Sequence, residues 1–176
     1  MRAVEESANL WFAGGRVSAL GNGHIHETYL LEGDDGDRSS LVLQRINNQV
    51  FPSPETLMTQ TMEVLDHLRS QGEVKVPHLM ESRDGNFMEE LDSGYWRAWE
   101  FIDHSRTVDP LENLEQVRNG AQAFGLFHSA MAEMNQANIR EIIPGYQQLG
   151  FYLEGFDQVR RGAPSELLRV IEGNNW

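Results

Sequence analysis

Cysteine is absent from this chain of 176 residues, which excludes disulfides, thiolate metal sites and a cysteine nucleophile. Basic residues are few. Fourteen Lys and Arg stand against 27 Asp and Glu, a formal net charge of -13, and that balance repels phosphate backbones and anionic lipid surfaces over long range. Neither nucleic acid nor a membrane is therefore an expected partner. Long apolar runs are missing too: nothing approaches the roughly 20 residues of a spanning helix. The acidic start, Met1-Arg2-Ala3-Val4-Glu5-Glu6, has no secretory apolar core. The expected location is the cytoplasm. No internal repeat or low-complexity tract is visible. What remains is a globular composition, 40% hydrophobic and 23% charged, of a length that suits one core, or one domain plus part of a second.

Along the first hundred residues, short strands alternate with turns. Val17 to Leu20 and Thr28 to Glu32 flank a glycine-bearing turn, Gly21-Asn22-Gly23-His24-Ile25-His26. Gly33-Asp34-Asp35-Gly36-Asp37 marks a second turn, and Leu41 to Ile46 reads as the next strand. A helix follows: Ser53 suits the N-cap, Pro54 the first helical position and Glu55 the positive end of the dipole. Leu57, Thr61, Val64, Leu65 and Leu68 recur at helical spacing before Gly72 ends it. Val74 to Met80, Asn86 to Leu91 and Trp96 to Ile102 then read as strands. The order predicts an α+β fold, a sheet of about five antiparallel strands with one helix.

Between Asp103 and Asp109 the pattern changes period from strand to helix, which places a boundary between 1–103 and 104–176. Asp109, Pro110 and Glu112 resemble a capping box. The apolar stripe Leu111, Leu114, Val117, Ala121, Phe124 and Met131 then predicts a long helix with a buried face. Leu149 to Arg161 and Ser165 to Glu172 read as two further helices.

Three segments could hold a nucleotide. A Gly21-x-Gly23 turn between strands lets backbone N–H groups approach phosphate oxygens closely, although a plain hairpin turn needing positive φ has the same sequence. No Gly-Lys-Ser/Thr follows it, and strands flank it, so it is neither a P-loop nor a dinucleotide fingerprint. In the third strand, Leu41, Leu43 and Arg45 share one face by the two-residue period, with Gln44 turned the other way. Arg45 is thus the expected phosphate cation, the alternative being an exposed strand arginine. No carboxylate on the following helix is placed cleanly to orient it: Glu63 lies opposite the apolar face and Glu55 at its edge. The third segment, Tyr95 to Asp103, is an apolar strand running into the boundary, where its extended backbone could meet an adenine edge through the Glu100 carbonyl and the Ile102 amide. An ordinary aromatic core strand reads the same way.

These pieces, in this order, resemble the kinase-like fold of the aminoglycoside phosphotransferase family, and most closely its N-acetylhexosamine 1-kinase-like branch. The resemblance rests on Gly21 to Tyr29, Leu43-Gln44-Arg45-Ile46-Asn47 with Val50-Phe51, and Pro54-Glu55-x-Leu57-Met58. It continues through Tyr95-Trp96-Arg97, Glu100-Phe101-Ile102, Phe124-Gly125-x-Phe127-His128 and Ile143-Pro144-Gly145-Tyr146. It implies a kinase-like N-terminal lobe over 1–103 and the first helices of a helical C-terminal lobe over 104–176. It also implies a γ-phosphoryl transfer from ATP to a hydroxyl of a small molecule, such as a sugar or amino sugar. Gly21, Asn22, Gly23 and His24 would cover the phosphates, Arg45 would bind them, and Glu100 and Ile102 would hold adenine with Trp99 at the back of its pocket. The family's His-x-Asp catalytic loop and its acidic metal motif have no counterpart here: His104-Ser105-Arg106 and His67-Leu68-Arg69 lack the Asp. Catalytic residues and Mg2+ ligands are therefore expected outside this chain, as if it were the N-terminal half of such a kinase. The alternative is a non-catalytic, truncated kinase-like protein that binds a nucleotide or a partner.

Other motifs point elsewhere only faintly. His24-x-His26 lacks a third metal ligand, His128 lies on its helix's apolar stripe as a structural histidine, and Asp34-Asp35-Gly36-Asp37 misses the calcium-loop register.

Overall fold

A computed structural model describes the chain except residues 1, 22, 34–39, 106–109, 136, 138, 165–167 and 169–176. The strands β1 (Arg16–Ala19), β2 (Glu27–Glu32) and β3 (Leu41–Ile46) fall within a residue of their expected places. Helix α2 (Pro54–Gln71) starts after Ser53 and stops at Gly72, whose φ of 72° is the left-handed geometry that glycine adopts without a Cβ penalty. The Ser53 side chain makes no capping bond to the helix backbone; its Oγ instead meets Thr56 Oγ1 at 2.8 Å. Three shorter elements complete the sheet: β4 (Leu79–Met80), β5 (Glu89–Leu91) and β6 (Gly94–Glu100). Pro77 has no N–H for a ladder, and of the expected strand Val74 to Met80 only the two residues beyond it pair.

All pairings are antiparallel, in the order β1-β2-β3-β6-β4 with β5 also on β6. Gln44 stands opposite Arg97, and Arg45 opposite Trp96. Because side chains alternate across a strand, Leu41, Leu43 and Arg45 share one face with Trp96 and Ala98, while Val42 and Gln44 share the other with Arg97 and Trp99.

The first face is sealed by a helix that the composition of the N-terminus concealed, α1 (Arg2–Ala8). Ala8 and Trp11 pack with Leu31, Leu41, Leu43, Trp96 and Ala98, all under 7% exposed. Trp11 Nε1 donates to the Met80 carbonyl at 2.9 Å, which satisfies the one polar atom that the indole carries into this core. On the second face, α2 brings Met58 against the sheet. Helix α3 (Leu114–Ala132) has its N-cap at Asn113, whose side chain accepts from the Gln116 N–H, four positions beyond Asp109, the start of the expected capping box; Asp109 lies outside the described residues.

By internal contacts the chain divides into Met1–Ile142 and Ile143–Trp176, whereas the change of period suggested 103. Helix α3 stays with the first unit because its C-terminal end docks on α2: His67 Nε2 meets the Ala130 carbonyl at 2.8 Å. Gln60 of α2 likewise donates to the Arg140 carbonyl at 3.0 Å. The expected burial of the α3 stripe is not observed. Leu114 is 84% exposed and Phe124 65%, and Ala130 alone is buried among the described residues of this helix. Hydrophobic periodicity marks the face that could be covered, and among the described residues it is the docked end that is buried. In the second unit, α4 (Leu149–Gly162) matches the expected helix; its Leu149, Phe151, Tyr152 and Val159 are exposed. The helix expected over Ser165 to Glu172 lies almost wholly outside the described residues.

One histidine ties the glycine-bearing turn to the end of β3. His26 Nδ1 accepts the Asn47 backbone N–H at 3.1 Å, and the ring stacks on Phe51 at 5.1 Å. Accepting at Nδ1 requires the neutral ring. Burial first, and the Arg97 charge second, hold His26 below its ordinary value.

Two outcomes follow for stability. Leu43→Ala opens a cavity between α1 and the sheet and should cost about 2–5 kcal/mol in urea denaturation, whereas Leu114→Ala should change it by less than about 0.5 kcal/mol. Because the folded-state pKa of His26 is depressed, the stability it confers is present above its unfolded value and lost as pH falls from there through the folded one. Thermal melts at pH 7.5 and 5.5 should therefore show a drop that is smaller in His26→Gln, whose amide can accept the same N–H without titrating.

Candidate functional site

On the second face, beside α2, the sheet borders a cleft of about 700 Å³. Leu20 and Gly21 enter it from the turn after β1, Val42 and Gln44 from β3, and Arg97 to Ile102 from β6 and its continuation, Ala98 excepted. Gly21 has φ 74°, in the left-handed region that side chains disfavour, and a Cβ there would meet nothing within 4 Å. Gly21 thus lines the cleft with no side chain of its own and with open space beside its Cα.

The continuation of β6 has the alternation of an extended strand. Phe101 N–H turns to β3 and donates to the Ser40 carbonyl at 3.1 Å, while Glu100 N–H turns to the other edge and donates to the His78 carbonyl at 2.8 Å. Ile102 N–H follows Glu100 in this alternation and has no hydrogen-bond partner among the described residues. His104, at φ 60°, then turns the chain away. An edge of peptide groups with unused capacity can recognise a planar heterocycle without any side chain.

Between the glycine turn and this edge lies a buried cation that the sequence reading passed over. Arg97 is 7% exposed. Its Nε and Nη2 donate to Gln44 Oε1 at 2.9 and 2.8 Å, and Gln44 Nε2 donates in turn to Thr28 Oγ1 at 3.3 Å. Arg97 Nη1 reaches Met58 Sδ at 3.6 Å, and the guanidinium sits 5.0 Å from the centre of the Trp99 ring. Burial lowers its pKa to about 10, so it stays charged at neutral pH. No carboxylate among the described residues forms an ion pair with it.

Arg45, the expected cation of this cleft, is elsewhere. It shares the outer face with Leu43 and pairs with Glu27 Oε1 at 2.9 Å. It lines a separate polar hollow of about 360 Å³ with Asn47, Asp92 and Gly94. The two-residue period was read correctly; what it could not show is that α1 covers the apolar face, which leaves the polar residues of β3 to face the cleft. The helix residue expected to pair with Arg45 is not found, since Arg45 pairs with Glu27 of β2; the α2 residue that meets Arg97 is Met58, a sulfur in place of a carboxylate. A signal for Arg97 was available: one charge within Tyr95-Trp96-Arg97-Ala98-Trp99 of a central strand has to be paired or put to use.

Of the remaining expected residues, Gly21, Trp99, Glu100 and Ile102 line the cleft together. Gly23 and His24 line a neighbouring hollow of about 380 Å³ that shares Gly21 with it, and Asn22 lies outside the described residues. His128 is exposed, and its ring lies 4.7 Å from that of Phe124 with the planes tilted by 60°. No group of three or more His, Asp or Glu among the described residues could hold a metal ion, and none of the described helices is long and apolar enough to cross a membrane.

The fold recurs in solved proteins. Amicoumacin kinase hAmiN, solved in complex with AMP-PNP, Ca2+ and Ami, superposes with a TM-score of 0.65 at 18% identity, covering 97% of this chain and 50% of that one. The microcompartment-associated aminopropanol kinase superposes with a TM-score of 0.64 at 17% identity, covering 85% of this chain and 47% of its own. The chain spans about half the length of both. At these identities the likeness is one of fold: a mixed α/β architecture with an antiparallel sheet of kinase-like type. The APH phosphotransferase enzyme family model matches residues 16–170. A match that runs from the first strand of the sheet past the end of α4 makes this chain a member of the APH phosphotransferase enzyme family.

Proposed function

We propose that this chain provides the nucleotide-binding part of an ATP-dependent phosphotransferase that acts on a hydroxyl group of a small molecule. The observation supporting this most directly is the cleft lining, in which an open glycine turn, an unused peptide edge and a buried cation converge. Adenine would lie along Glu100 and Ile102, with its exocyclic amine donating to the Glu100 carbonyl and a ring nitrogen accepting from the Ile102 N–H. Trp99 would close the pocket behind it. Gly21 would lie over the phosphates, with Gly23 and His24 at its outer side.

The family resemblance of Gly21 to Tyr29 and Leu43 to Asn47 to N-acetylhexosamine 1-kinase-like proteins favours a sugar or amino sugar as the acceptor. Phosphoryl transfer of this kind depends on positioning and charge stabilisation. The residues described here position the donor, and the cytoplasm is where ATP would reach them. A divalent cation such as Mg2+ would need ligands other than these, and no step is assigned to it.

Titration calorimetry tests the reading. Adenosine, ADP and ATP should all bind the chain, and inosine, which lacks the exocyclic amine, should bind more weakly than adenosine. Ile102→Pro deletes one donor and should weaken adenosine about tenfold, the equivalent of one hydrogen bond. Absence of binding for all three adenine compounds would refute it. In a coupled ADP-release assay with sugars and amino alcohols, the 176-residue chain should show no acceptor-dependent turnover, since no His-x-Asp occurs in it.

A further inference from the structure

We propose that the phosphate-binding cation of this cleft is Arg97 on β6, and that Gln44, its neighbour on β3, is the residue that positions it. This rests on the reading of the cleft as a nucleotide site and adds which strand supplies the charge and how it is held.

Burial sets the demand that this charge makes on its surroundings. A guanidinium taken out of water needs either a counter-charge or an anion supplied from outside, because a neutral environment compensates its lost hydration poorly. Arg97 is 7% exposed, yet its hydrogen-bond partners are an amide oxygen and a thioether sulfur. Both neutralise nothing. The other arginines with ion pairs in the described residues, Arg16, Arg45, Arg69 and Arg160, each hold a carboxylate and lie nearer the surface. Arg97 therefore brings an uncompensated positive charge to a cleft in a chain whose formal charge is -13.

The cradle also fixes its direction. Gln44 accepts from Nε and Nη2 through one oxygen, while its own amide nitrogen is committed to Thr28. The guanidinium carries donors only, so it sets which way round the amide lies, oxygen toward the cation and nitrogen toward Thr28, whose hydroxyl accepts. The relay crosses three adjacent strands in register, Thr28 opposite Gln44 and Gln44 opposite Arg97. Trp99, stacked near the guanidinium at 5.0 Å, bounds the other side. Gly21, Arg97 and the Glu100 to Ile102 edge line the same cavity, so an anion attached to a base at that edge has this charge within the same walls. Arginine's fork suits phosphate oxygens, and a ligand with more phosphate charge gains more from it.

The test separates base recognition from phosphate recognition. Adenosine and ATP are titrated in EDTA, without divalent cations, into wild type, Arg97→Met, Gln44→Glu, Arg45→Ala and the double variant Arg97→Met/Gln44→Lys, each first shown to melt cooperatively. The wild type is expected to bind ATP at least tenfold more tightly than adenosine. Arg97→Met should lose that preference and keep its adenosine affinity. Gln44→Glu, which supplies the missing carboxylate while retaining an acceptor, should also lose most of it. Arg45→Ala should behave as wild type, and the lysine returned at position 44 should restore much of the preference. If Arg97→Met retains the ATP preference, if Arg45→Ala loses it, or if Gln44→Glu leaves it intact, the assignment is wrong while the nucleotide site stands. Equal affinity of the wild type for ATP and adenosine would also overturn it. If the wild type binds neither compound, both this assignment and the function proposed above fall together. Should Arg97→Met fail to melt cooperatively, Gln44→Glu and Arg45→Ala decide the matter by the same criteria.

Discussion

The register of β3 against β6 determines what each face of the sheet can do. With Gln44 opposite Arg97 and Arg45 opposite Trp96, the Gln44 and Arg97 side chains share the face that borders the 700 Å³ cleft, while Leu41, Leu43, Trp96 and Ala98 share the other. A slip by one residue would carry Arg97 into the tryptophan core and Leu43 into the cleft, a change the burial of Leu43 and Trp96 strongly opposes. Packing under α1 thus selects the chemistry on the far side of the sheet, through nothing more than the two-residue period of a strand.

Much of this architecture was legible in the sequence because it is written in local signals. The β3 limits, the start of α2 at Pro54 and its stop at Gly72 follow from alternation, proline placement and a glycine able to take positive φ. That Gly21, Glu100 and Ile102 line one cleft has the same origin, since turns and strand ends follow from local chemistry and need no side chain. What could not be read was which face lies inward. Arg2 to Ala8 is short and acidic, with little periodicity of its own, and becomes a structural element only by packing Ala8 on the sheet, with Trp11 just beyond it. Without that helix the alternation of β3 points its apolar side at the cleft and favours Arg45 over Gln44; with it, the faces are exchanged. The α3 stripe failed in the opposite way: its periodicity is strong, yet apolar spacing says nothing about whether a neighbour is present.

The cation in the cleft illustrates how an acidic protein can offer a site to an anion. Long-range repulsion from the surrounding carboxylates is damped over a Debye length of about 8 Å at physiological ionic strength, whereas a desolvated guanidinium acts at contact distance, where the local dielectric is low. Net charge therefore governs which macromolecules stay away, and the geometry of Thr28, Gln44 and Arg97 governs what a small anion meets once inside. The ion pair of Arg45 with Glu27 on the outer face is solvent-exposed on both partners, and such pairs contribute little to either stability or recognition.

The sulfur of Met58 at the place where a helix carboxylate would hold the cation has a consequence for control. When a strand cation is oriented by an acidic residue on a neighbouring helix, rotating the helix makes or breaks an ion pair, and the helix becomes a lever for switching the site on and off. Here the strong bonds to Arg97 come from Gln44 within the same sheet, and α2 contributes one weak, adaptable contact through Met58. Displacing α2 would leave the guanidinium aimed as before. The direction of the guanidinium is thus set by three hydrogen-bonded strands more than by the helix, whose part is to keep water from the charge.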